Sequence, residues 1–184
     1  MRARREPGAG RVVIVTATLE ARVRRLEDRQ ELSDLVARYG RVVDDRDADA
    51  LRELYAADAV FDAVAGPITG RDAVVDYYLQ RFRAYGPSFH VPHSQTVEFL
   101  DDDEATGVVT AHAELAMPEG TFWVALRYQD RYVRGEGRWR FRERRVQQLY
   151  AMPLRELLDD LGAPDRLRWP GRPTAPADLP EETP

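Results

Sequence analysis

Ser88-Phe89-His90-Val91-Pro92-His93-Ser94-Gln95-Thr96-Val97-Glu98-Phe99-Leu100 is where this chain changes its periodicity. Before Pro87 apolar residues recur at helical spacing, and from Ser88 onward they recur every second residue. Upstream, Leu19, Val23, Leu26, Leu32, Leu35, Val36, Tyr39 and Val43 mark a long amphipathic stretch, with Thr18 placed as its N-cap. Asp47 is placed to cap a second helix carrying Leu51, Leu54 and Tyr55. Residues 59–64 read as a short strand closed by Gly66-Pro67. Val74, Tyr77, Tyr78 and Phe82 then give a third helix over residues 71–85. Downstream, residues 88–100, 104–117, 121–134 and 138–150 read as four strands. The links Asp101-Asp102-Asp103, Pro118-Glu119-Gly120 and Gly135-Glu136-Gly137 are short, so these neighbours should pair antiparallel. Residues 153–161 form a closing helix ended by Gly162. Helices first and strands afterwards make an α+β fold. The expected shape is a cone: a curved antiparallel sheet packed against three N-terminal helices, an α+β barrel whose interior is the natural small-molecule pocket.

Composition narrows the function classes. At 184 residues the chain can bury one core but not two comfortable ones. A net charge of −5 argues against nucleic acid as a partner, because neutralising phosphates needs a basic surplus. There is no Cys, no Lys and no Asn. Thiolate nucleophiles, disulfides, Schiff-base lysines and the lysine of a P-loop are therefore excluded. No run of about 18 apolar residues exists, so no membrane helix is expected. The basic start, Met1 to Arg5, is followed only by the short Val12-Val13-Ile14-Val15, too short for a signal-peptide core, and a cytoplasmic location is expected. Residues 1–17 read as a loose arm, 18–162 as the domain, and 163–184 as a Pro-rich acidic tail without its own core.

Tyr39 and Asp44 near the end of the first helix, with the His90–His93 cluster, supply a phenol, a carboxylate and imidazoles. These groups move protons at neutral pH without metal or cofactor. Each also has a plainer reading. Tyr39 lies on the apolar stripe and suits a core, while Asp44 precedes Asp45 and Asp47 and suits a solvated helix end. Five residues along a helix is a rotation of about 140°, so Tyr39 and Asp44 need not share a face. Simple alternation places His93 with Val97 and Phe99 on the apolar face and His90 on the other. Pro92 between them cannot donate a ladder bond and favours a bulge that breaks this alternation. His112 reads as a lining or surface residue. Positions three apart on a strand do not point the same way, so a zinc site is not expected. Tyr128, Asp130 and Tyr132 share one face and either line the pocket or pack on Trp139 and Phe141. Arg127, Arg140, Arg142 and Arg144 read as a solvated or dimer-facing surface of the sheet.

Several stretches carry a resemblance: Leu26-Glu27-Asp28 through Val43-Asp44-Asp45-Arg46-Asp47, Tyr55-Ala56-Ala57-Asp58-Ala59-Val60, Gly70-Arg71-Asp72-Ala73-Val74, and Arg127-Tyr128-Gln129-Asp130-Arg131-Tyr132 with Gly137-Arg138-Trp139-Arg140-Phe141. On these the chain resembles the nuclear-transport-factor-2-like superfamily and its SnoaL-like branch over roughly residues 19–160. Within it, Tyr39-Gly40-Arg41-Val42-Val43-Asp44 and His90 resemble the bile acid 7α-dehydratase and scytalone dehydratase type. The resemblance implies a cofactor-independent lyase acting on a hydrophobic, oxygenated small molecule. Asp44 and His90 would be its acid–base dyad and Tyr39 a hydrogen-bond donor to a substrate oxygen. His93, His112, Glu114, Tyr128 and Tyr55 are further candidates for contacting the substrate. A second tyrosine of that type falls near Ala63, and a pocket aspartate near Ala113. The resemblance also implies a homodimer or higher homo-oligomer. The alternatives are a polyketide cyclase or isomerase, an epoxide hydrolase, or a non-catalytic small-molecule-binding module, because this cone hosts many chemistries.

Overall fold

The first helix, α1 (Leu19–Asp44), begins where Thr18 Oγ1 accepts a hydrogen bond from the Ala21 amide at 3.2 Å. The computed structural model describes residues 18–64 and 66–180, so the expected N-terminal arm lies outside the described residues. Only the second half of α1 faces the core, through Leu32, Leu35, Val36, Tyr39, Val42 and Val43. The stripe expected to start at Leu19 does not bury there: Leu19 and Leu26 are 70% and 66% exposed. α1 stops in a Schellman turn, with Arg46 N–H on Val43 O at 3.2 Å and Asp47 N–H on Val42 O at 3.1 Å. The residue in the left-handed position of that turn is Arg46, at φ 58°, where glycine is the usual occupant. Asp47 then caps α2 (Ala48–Leu54) by accepting from the Ala50 amide at 2.9 Å. Tyr55, expected on this helix, instead opens strand β1 (Tyr55–Ala63), which pairs with β2 (Gly66–Thr69), a strand the sequence reading took for a turn.

After α3 (Arg71–Ala84) come the long strands β3 (Ser88–Phe99), β4 (Glu104–Met117), β5 (Gly120–Gly135) and β6 (Arg138–Pro153). They match the four expected strands, joined antiparallel, and β1 adds parallel to β6. The six strands form a curved, unclosed sheet in the order β2-β1-β6-β5-β4-β3, with the helices packed on its concave face. The fold is the expected α+β cone.

Bulges bend the sheet, and those in β3 and β6 decide which side chains face inward. In β3, Pro92 opposes Ala111 and Ser94 opposes Thr110, leaving His93 as the extra residue. In β6, Phe141 opposes Tyr132 and Glu143 opposes Arg131, leaving Arg142 extra; nearer its end Leu149 is extra in the same way. A bulge shifts alternation by one, so every side chain beyond it changes face.

A short helix α4 (Leu154–Asp160) follows β6. The Pro-rich segment after Gly162 runs back along β6: Arg168 N–H donates to Ala151 O at 2.7 Å, and Asp178 accepts from the Gln148 amide at 2.7 Å. Its Trp169 is buried, stacked on Phe122 at 6.2 Å, and donates from Nε1 to Gln148 Oε1 at 3.0 Å. This segment has no core of its own because it completes the core of the cone. Among the described residues no helix is long and apolar enough to cross a membrane.

Candidate active site

Asp44 is the last residue of α1, and its carboxylate grips the start of β3 at three points. Oδ1 lies 2.6 Å from His90 Nδ1 and accepts from Ser88 Oγ at 2.8 Å, while Oδ2 accepts from the His90 amide at 2.8 Å. Both side chains are mostly enclosed, at 15% exposure for Asp44 and 16% for His90. A carboxylate at a helix C-terminus meets the negative end of the macrodipole, so these donors offset an unfavourable location. Burial pushes the Asp44 carboxyl upward, but the His90 side chain and amide and the Ser88 hydroxyl outweigh it. The net effect holds the group below its ordinary value. Asp44 is therefore ionised at neutral pH and accepts, so Nδ1 of His90 carries the proton. Whenever the ring is uncharged Nε2 therefore holds the lone pair, and His90 lines the cavity of the cone.

The close approach of α1 to β3 depends on Gly40. A Cβ there would stand 3.2 Å from His90 O and 3.4 Å from His90 Cβ. Tyr39, beside it, is buried, and its hydroxyl lies 2.5 Å from that of Tyr78. Its ring meets the His90 ring edge-on at 6.3 Å. Tyr39 and Asp44 thus reach the same imidazole from different sides, which resolves the 140° separation without unwinding the helix. Tyr128 also lines the cavity, whereas Tyr55 lies wholly buried against Phe141 and does not. Burial raises the phenols of Tyr78 and Tyr128 well above the ordinary value, so both remain protonated donors.

The remaining candidates are corrected by the structure. His93, His112 and Glu114 stand on the outer face of the sheet, away from the cavity. The bulge turns His93 outward, and β4 alternation sends Ala111, Ala113 and Leu115 in and His112 and Glu114 out. His93 Nε2 and His112 Nδ1 lie 2.6 Å apart with the rings stacked at 4.7 Å. Partial burial and the neighbouring His93 lower the His112 pKa. Among the described residues no three His, Asp or Glu side chains cluster to hold a metal.

Arg144, expected on a solvated or dimer-facing surface of the sheet, is instead part of the core. The Arg142 bulge turns it inward, to 0% exposure. Nε and Nη2 donate to Asp130 at 2.8 and 2.7 Å, and the guanidinium stacks on Tyr39, Tyr128 and Phe141 at 4.2, 4.1 and 3.9 Å. Burial works against its charge, but Asp130 outweighs that and keeps its pKa well above the ordinary value. Tyr132 donates to Asp130 at 2.8 Å. The sequence did carry a signal: a carboxylate between two tyrosines on an apolar face needs a buried cation.

The cavity has a free volume of about 100 Å³ and mostly apolar and aromatic walls, including Phe61, Tyr77, Leu115, Val124, Leu126 and Trp169. Ala63 and Ala113, where the resemblance calls for a tyrosine and an aspartate, also line it, so methyl groups replace two polar contacts.

The SnoaL-like domain family matches residues 24–145, more than half of the chain. The chain belongs to that family. No curated protein matches it in sequence. Among solved structures, this SnoaL-like chain is similar to LinA, with 23% identity, a TM-score of 0.68, and 72% of this chain and 93% of LinA covered. It is similar to the hexachlorocyclohexane dehydrochlorinase LinA-type3 from Novosphingobium barchaimii LL02, at 22% identity and TM-score 0.67, covering 72% and 94% of the two chains. A candidate scytalone dehydratase from Novosphingobium aromaticivorans superposes with a TM-score of 0.69 at 16% identity, covering 84% and 96%. At these identities the likeness establishes the SnoaL-like fold.

Proposed function

We propose that this protein is a cofactor-independent lyase that eliminates water from a hydrophobic, oxygenated small molecule, with Asp44 and His90 as its acid–base dyad. The observation that carries the reading is the Asp44–His90 pair at 2.6 Å, which leaves Nε2 of a cavity-lining imidazole free to take a proton. In the step, Nε2 removes the proton α to a carbonyl and the C–H electrons become the new double bond. The hydroxyl then leaves as water with the same proton, a syn departure served by one imidazole. Asp44 fixes the tautomer and stabilises the imidazolium. The Tyr39–Tyr78 hydroxyl pair is the donor proposed for the enolate oxygen.

The test is turnover of a panel of β-hydroxy carbonyl compounds. We expect wild-type conversion to an α,β-unsaturated product and its loss in both Asp44→Ala and His90→Ala. Wild-type rates in both variants would sink the dyad. A second reading follows from the LinA-type relatives, one of which is named for dehydrochlorination. Halide leaves without a proton, so a halogenated analogue turned over in place of the hydroxy compound would select that reading. The homodimer, paired through the outer face of the sheet, belongs to this proposal and is tested by sedimentation.

A further inference from the structure

The cavity wall carries charge of one sign. Among the described residues its charged lining side chains are Arg46 and Arg81, and no Asp or Glu lines it. The Asp44 carboxylate stands behind His90 and Ser88, committed to three donors. In a chain with 32 acidic and 27 basic residues, a cavity holding only cations runs against the overall balance.

Neither guanidinium is neutralised among the described residues. Arg46 donates to Phe82 O at 2.9 Å and Tyr85 O at 3.0 Å, and Arg81 donates to the Tyr77 hydroxyl at 2.6 Å. All three acceptors are neutral. Other arginines take carboxylates, as Arg142 does with Asp58 and Glu104 and Arg168 with Glu156 and Asp160, while Arg166, away from this cavity, is held by carbonyls alone.

Both cations are also held in place. Arg46 sits in the left-handed turn that ends α1, and its two carbonyl acceptors lie at the end of α3. Arg81 lies against the rings of Tyr77 and Tyr85, each 4.9 Å from its guanidinium carbon. A third cation, Arg172 of the C-terminal segment, donates to Val64 O at 2.9 Å, and Val64 is itself a cavity-wall residue. Burial raises the Tyr77 phenol, and Arg81 and Arg172 both act against that rise, which places both charges near one tyrosine. Ala113, opposite His90 on the neighbouring strand, and Leu115, Val124 and Leu126 give the cavity an apolar wall as well. Arg46 is exposed and Arg81 half-buried, so a wholly apolar occupant lying against Arg81 would cover that cation without compensating it, which costs free energy.

We propose that the cavity takes an apolar carboxylic acid, whose carboxylate pairs with Arg81 and Arg46 while its apolar body reaches His90. Guanidinium forks match the planar carboxylate in geometry as well as in charge. The inference rests on the reading of this cavity as the substrate site, and it adds the substrate class.

Calorimetric titration with an isosteric pair, cyclohexanecarboxylate and cyclohexanecarboxamide, tests it without turnover. For the wild type the acid should bind at least about tenfold more tightly than the amide. Arg81→Gln should shrink that advantage to about twofold or less with the amide affinity unchanged, whereas Arg81→Lys, which keeps the charge, should retain most of it. Equal affinities for acid and amide, no binding of either, or a full advantage surviving in Arg81→Gln would overturn the proposal. His90→Ala should leave the acid's advantage intact. An intact advantage in a wild-type protein that eliminates water from no hydroxy compound would overturn the dehydratase reading alone. Elimination of neutral substrates with no acid preference would overturn this inference alone.

Discussion

His90 and His93 lie three residues apart on one strand, and each has a ring nitrogen 2.6 Å from a partner. His90 faces into the cone and meets an ionised carboxylate, which sets the tautomer of a ring that lines the cavity. His93 faces out and meets His112, another imidazole, with the Glu114 carboxylate acting on that neighbour. The same residue type on the same strand therefore has two different chemistries. Partner and enclosure decide between them, and both follow from a single extra residue at the Pro92 bulge.

The contrast breaks most sharply in activity. His90→Gln should lower the elimination rate by about 10²- to 10⁴-fold, while His93→Gln stays within about twofold of wild type. Steady-state kinetics on both variants reads this, and equal losses would erase the distinction between the two faces.

A second prediction tests whether enclosure is also what makes the inner face costly to disturb. Arg144→Gln leaves Asp130 buried without its cation, so it should destabilise the fold by about 3–5 kcal/mol in urea denaturation. Arg142→Gln, one bulge position away on the outer face, should change stability by no more than about 0.5 kcal/mol. Near-equal effects would mean that the Arg142 bulge does not set the two faces apart.

Acid titration sharpens the role of the carboxylate. The Asp44 pKa is lowered from 3.8, so its ionised form stabilises the fold at pH values above that figure. That contribution is lost as pH falls through the depressed folded value. The stability gap between wild type and Asp44→Asn should therefore be fully open near neutrality and close below about pH 4. A gap independent of pH would show that the carboxylate's charge contributes nothing to the stability of its contacts with His90 and Ser88. The smallest effect belongs to the outer pair: His112→Ala should shift the unfolding free energy by no more than about 0.5 kcal/mol.

Much of this arrangement is legible in the chain itself. The switch from helical to alternating periodicity at Pro87 marks the order of elements. Thr18 and Asp47 mark helix starts that the structure reproduces through their hydrogen bonds. Asp44 and His90 were selected by their place in a resemblance, and the fold brings them together. Arg144 escaped because strict alternation carries it outward, and a bulge leaves no strong mark in sequence unless a Pro or Gly stands there. Pro92 is such a mark, and Arg142 is not. Trp169 escaped for another reason: a Pro-rich acidic segment reads as a tail, and nothing local says that an aromatic within it will stack on Phe122 and reach a cavity wall.

The sequence by itself determined the class of fold, the absence of thiol and lysine chemistry, and a carboxylate and an imidazole suited to proton transfer. Those properties depend on residue identity and short-range period, which the chain states directly. Tertiary structure alone decided which imidazole meets the carboxylate, that an ion pair lies beneath the tyrosines, and that the cavity wall holds cations and, among the described residues, no anions. Each of these depends on register and bulges across strands that pair far apart in sequence, and a shift of one residue there exchanges the inside for the outside.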